Sequence, residues 1–151
     1  MDELEAFIVR AKARTYVGGG ASRPSSRPAS HEIGHEDGPW SYLDCYFGGS
    51  DFIGQEVVWY RGDPAWAMNY YGRIVRPDRI DAATAGAIIK EALAALYREG
   101  RFLGGFTFDA AAGRYSDRSQ GDYRSFRGTE EITIGGDLVY RLDYHGGLVK
   151  P

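Results

Sequence analysis

The chain has 151 residues, enough for one domain with one core, and its 43% hydrophobic and 26% charged residues are a folding rather than a disordered composition. A net charge of −3 gives no support to direct nucleic-acid binding, so none is expected, and the single Cys45 rules out an internal disulfide. No run approaches the ~18 apolar residues of a membrane span, and the acidic start MDELEAF lacks a signal-peptide pattern, so no membrane contact and a cytoplasmic setting are expected.

Leu4, Phe7, Ile8 and Ala11 recur at helical spacing, with acidic residues before them and basic residues after. This predicts an amphipathic helix over 2–17, stopped by Gly18. The Gly/Ser/Pro-rich stretch that follows predicts a flexible segment over 18–37. Inside it His31-Glu32-Ile33-Gly34-His35 spells the H-E-x-x-H string of zinc peptidases. That chemistry needs both histidines on one face of a helix. Pro24 and Pro28 precede the string, Gly34 lies within it and Gly38-Pro39 follows, so no metal site is expected there.

From Trp40 the pattern alternates. Strands are predicted over 40–47, 55–62 and 65–75, joined by short turns as an antiparallel meander. Residues 76–100 hold the clearest helix, with Asp81 as N-cap and an apolar stripe through Ala85, Ile88, Ile89, Ala92, Leu93, Leu96 and Tyr97. Further strands are predicted near 105–109, 113–117, 122–134 and 137–145, with Gly135-Gly136 as a hairpin turn. No internal repeat is expected. The sum is an α+β fold: a single domain over 1–151 whose body, 38–151, is an antiparallel, meander-like sheet with two helices packed on one face.

Two helices cover one face of such a sheet, yet aromatic residues fall on both faces of the first three strands. Polar groups among these rings suit a small polar or cationic ligand. Strand parity groups Tyr42 with Asp44, Asn69 with Tyr71, and Asp143 with His145. With Glu56 these seven are the candidate ligand-binding residues. The expected function is non-catalytic, sensor-type binding of a small molecule or a protein, with no cofactor. One alternative is a small hydrolase in which Asp143 orients His145 as general base, with metal at His31 and His35 or Cys45 as nucleophile. Another is a structural homodimer through the uncovered sheet face.

The strings YFGG (46–49), FIGQEVVWYRG (52–62), WAMNYYGRI (66–74) and YRLDYHGGLV (140–149), with the helix FIVRAKARTYVGGG (7–20), resemble an uncharacterised bacterial domain family. It occurs as stand-alone proteins and, in other chains, behind an Xre-type helix-turn-helix domain. The resemblance implies an effector-sensing or interaction role and carries no established activity.

Overall fold

The computed structural model describes residues 2–151. Helix α1 (Glu3–Lys12) starts at Asp2, whose carboxylate accepts the Leu4 amide at 3.0 Å, and runs on into a π-helical turn over Ala13–Val17. Nine strands follow: β1 (Ser22–Arg23), β2 (His31–Asp37), β3 (Trp40–Gly48), β4 (Phe52–Tyr60), β5 (Asp63–Ile74), β6 (Phe106–Asp109), β7 (Arg114–Asp122), β8 (Ser125–Ile134) and β9 (Asp137–Leu148). Helix α2 (Ala82–Arg98) separates β5 from β6 and is capped by Asp81, which accepts the Thr84 amide at 2.7 Å. The expected α+β class is what the structure shows. The strands form one sheet in the order β1-β2-β3-β4-β5-β9-β8-β7-β6, every pair antiparallel. After β5 the chain crosses by way of α2 to the far edge and returns strand by strand, until β9 closes beside β5.

Residues 31–37 depart from the expected connector. They form β2, in register with β3 from His31↔Tyr46 to Asp37↔Trp40. Proline ends at Pro28, and the proline-free stretch after it alternates Glu32 and Gly34 on one face with Ile33 and His35 on the other. Residues before it fold against the sheet: Ser26 donates to Glu32, and Arg27 reaches the Cys45 sulfur at 3.2 Å and covers the Phe47 ring.

The expectation of no internal repeat is also corrected. Each half of the chain holds one helix and a four-stranded antiparallel meander, β2–β5 and β6–β9, with the two-residue β1 additional in the first, and the two halves meet at β5 and β9 with Tyr70 opposite Tyr144. The register repeats around that pair. Gly54 opposes Tyr70 and Gly128 opposes Tyr144; Asp44 opposes Glu56 and Asp117 opposes Glu130. The helices correspond as well. Ala6, Ile8, Ala11, Ala13 and Tyr16 of the first match Ala87, Ile89, Ala92, Ala94 and Tyr97 of the second at identical spacing.

The core lies between the helices and the inner sheet face. Phe7, Ile8 and Ala11 from α1, Ile88, Ala92 and Leu96 from α2, and Val58, Trp66, Tyr115, Ile132 and Tyr140 from the sheet are almost fully buried. Trp66 donates its indole N–H to the Tyr123 carbonyl at 3.0 Å and stacks on Phe126, so its one polar atom is satisfied as its ring is buried. No described helix is long and apolar enough to cross a membrane.

Candidate functional site

Strand parity divides the seven candidate residues between two faces. Tyr42, Asp44 and Glu56 point inward and are buried at 2%, 4% and 7% exposure. Asn69, Tyr71, Asp143 and His145 point outward and are exposed. The sheet lies between the two groups, so the seven do not converge on one pocket.

The inward group lines a cavity of about 540 Å³ between the sheet and α2. The sequence of α2 explains the space. Its first turns read Ala82-Ala83-Thr84-Ala85-Gly86-Ala87, too short to reach the aromatic floor of Phe52, Tyr70 and Tyr140 beneath them. A Cβ built at Gly86 meets no atom within 4 Å. Glycine inside a helix costs about 1 kcal/mol relative to alanine, and here it leaves volume open.

Several wall groups lie outside the sequence-based candidates. Lys12 ends the buried α1 stripe Leu4–Ile8–Lys12, one position per turn, and its Nζ lies 2.6 Å from Glu56 Oε2 with both side chains under 10% exposed. Tyr16 comes from the π-helical turn, an irregularity that often occurs at functional positions. Glu130 comes from β8, where Phe126, Gly128, Glu130 and Ile132 share the inward parity. A carboxylate in that row was the legible signal. The Tyr70 hydroxyl donates to Asp44 at 2.6 Å, and its symmetry counterpart Tyr144 donates to Asp117 at 2.7 Å.

Electrostatically the cavity is acidic. Burial, and then the neighbouring charge of Glu56, hold the Asp44 carboxyl well above the usual carboxylate range. Glu130 is pushed up to about 7, by burial first and the Asp117 charge second. Burial raises Asp117 also. The Tyr140 hydroxyl is buried without a hydrogen-bond partner at the cavity wall.

The outward group belongs to a polar row across the sheet. Gln55 donates to Asn69 at 2.9 Å, Asn69 donates to His145 Nε2 at 3.2 Å, and Arg127 donates to Gln120 at 3.0 Å. These groups flank a broad, open depression of about 900 Å³. Asp143 accepts hydrogen bonds from Arg141 at 3.0 Å and Thr129 at 2.9 Å, and His145 is engaged by Asn69 rather than by Asp143. Cys45 lies on the same row as His145 but three strand spacings away, ~14 Å. His31 and His35 sit four residues apart on a strand, ~13 Å, where a helix would bring them onto adjacent turns.

Of the two regions, the inner one lies beneath a helix and presents an unpartnered buried hydroxyl. The outer groups largely satisfy one another in contact with water. The inner region can hold a small molecule by apolar contact with its rings, with carboxylates and one ammonium to orient it.

No curated protein and no solved structure matches the chain. Residues 44–149, running from the Asp44 wall of the cavity through β9, match the family described as Domain of unknown function (DUF5680). The chain therefore belongs to the DUF5680 family.

Proposed function

We propose that this chain is a non-catalytic, sensor-type domain that binds a small molecule in the cavity between α2 and the sheet. The observation that supports it is the space left between the first turns of α2 and the sheet. Close-packed cores leave few voids larger than a water molecule, whereas this one holds about 540 Å³ and is lined by both rings and ionisable groups. A cytoplasmic setting suits a metabolite ligand. The resemblance to a bacterial family that occurs as stand-alone proteins and, in other chains, behind Xre-type helix-turn-helix domains suits a role in which cavity occupancy is passed to a partner. A homodimer through the outer face is the runner-up, on the adjacent exposed Ile53 and Tyr71.

The test is a thermal-shift screen of a metabolite library on the wild type and on Gly86→Leu, whose side chain enters the open space. Compounds that raise the wild-type melting temperature by several degrees and leave the variant unmoved are expected. A folded Gly86→Leu protein that responds to the same compounds to the same extent overturns the cavity as the binding site.

A further inference from the structure

The two halves of the molecule act as an internal comparison for the cavity. Glu56 on β4 and Glu130 on β8 occupy equivalent inward positions, each one step from an equivalent aspartate on the next strand. On the helix side the match of Ala6–Tyr16 with Ala87–Tyr97 sets Lys12 against Leu93. Glu56 accordingly has an ammonium at 2.6 Å. Glu130, in the same situation, has no cation within ion-pair distance among the described residues.

A second, independent observation comes from the same wall. Tyr140 is 1% exposed, and its hydroxyl lines the cavity without a partner. Buried polar groups are nearly always hydrogen-bonded, so an unmade bond of this kind marks a place for something bound. The charge balance gives the sign. Asp44, Glu56 and Glu130 face one interior cation, Lys12, and Lys90 stands at the exposed rim above Tyr16. Among the described residues no three His, Cys, Asp or Glu side chains come together as a ligand set for a metal ion. The separated carboxylates and the rings between them fit an organic cation, whose charge a carboxylate and aromatic faces share.

We propose that the cavity takes a small organic cation, a primary ammonium or guanidinium on an apolar or aromatic body, whose charge pairs with Glu130 as Lys12 pairs with Glu56. Tyr140 accepts a second hydrogen bond from the same head group, and the Tyr16 and Tyr97 rings pack on its body. This rests on the cavity being the binding site. Burial raises the carboxyls of Asp44 and Glu130, and an arriving cation favours their ionised forms and draws both down.

The experiment is isothermal titration calorimetry on the full chain with phenethylamine, agmatine and spermidine. 2-Phenylethanol and 3-phenylpropionate serve as neutral and anionic counterparts of the first. At least one cation is expected to bind saturably, with the counterparts at least tenfold weaker. Glu130→Gln, which keeps the shape and removes the charge, should weaken the cation tenfold or more. Leu93→Lys supplies the missing ammonium from the protein itself and should abolish cation binding with every carboxylate in place. That variant keeps the test decisive if Glu130→Gln does not fold.

Failure of all three cations to bind overturns the proposal, as does cation binding that survives Leu93→Lys unchanged. Equal binding of phenethylamine and 2-phenylethanol, both lost in Gly86→Leu, also overturns the cationic ligand. In that case the cavity is still the binding site. Loss of the response to both in no variant sinks the cavity reading too.

Discussion

At the scale of single residues, Lys12 carries a buried ion pair with Glu56. Its ammonium is buried beside Glu56 at the centre of the molecule, and removing one member of such a pair leaves a charge without compensation. Lys12→Met should therefore lower stability by about 3–5 kcal/mol in denaturant unfolding. Lys12→Met combined with Glu56→Gln should recover much of that loss, because the Glu56 charge left without its partner is removed as well. A cost below about 1 kcal/mol for the single change would mean that water reaches the pair. The sequence shows why Lys12 was hard to recognise. At the end of α1 it reads as a cation placed for the helix dipole, and only its alignment with Leu4 and Ile8 marks it as inward. Asp44 and Glu56 were legible because their strands alternate cleanly. Glu130 follows the same rule but sits beside Glu131, and a doublet of acids reads as a solvated surface.

At the scale of elements, the strands from Trp40 and the second helix were legible because parity, capping and turn residues agree along them. Strand β2 was not, because the Pro- and Gly-rich residues before it dominate the local composition while its own pairing is with β3. The two-fold repeat was hidden for a different reason. What recurs is a set of alternate inward positions, Tyr-x-Asp, Gly-x-Glu and Tyr-x-Gly, spread over strands joined by loops of unequal length. The glycines in that set have a steric task. Tyr70 lies over Gly54 and Tyr144 over Gly128 on the way to their aspartates, and a Cβ at either glycine would come within 2.4 Å or 2.2 Å of the phenol group above it. Gly54→Ala and Gly128→Ala should each cost roughly 1–3 kcal/mol, as overpacking of a filled site does. The two losses should be alike, since the geometry is. A neutral result at one position only, in thermal melts of the pair, would show that the halves are not equivalent there.

At the scale of the whole molecule, the buried carboxyls set how stability responds to pH. Glu130 has an ordinary value of 4.5 and a folded value of about 7, raised by burial first and Asp117 second, with Lys12 opposing. Asp44 and Asp117 are raised in the same direction, chiefly by burial. Between pH 4.5 and about 7 the folded chain thus holds a proton on Glu130 that the unfolded chain has already released. Unfolding releases protons throughout that window, so stability falls as pH rises through it and levels off above it. His35 works the other way. Burial lowers it from 6.5, so its contribution grows as pH rises toward that value, offsetting part of the fall. The exposed acids held low, Asp78 and Asp81 by hydrogen bonds at their arginine and helix-cap partners, weaken the fold only as pH drops below their ordinary 3.8. The maximum is therefore expected at about pH 4, between the loss of the lowered acids and the onset of the fall. Glu130 alone lowers stability by roughly 2–3 kcal/mol between pH 5 and pH 8, a drop of several degrees in melting temperature for a chain of this size. Glu130→Gln should flatten the descent while leaving the stability at pH 5 nearly unchanged, because the amide resembles the protonated acid it replaces. A wild-type melting temperature that climbs steadily from pH 5 to 8 would mean the cavity carboxylates are ionised in the folded protein and already compensated. The same scan with a bound organic cation should shorten and flatten the descent, since the ligand's charge draws the folded value down toward the ordinary 4.5 while the unfolded value stays where it is.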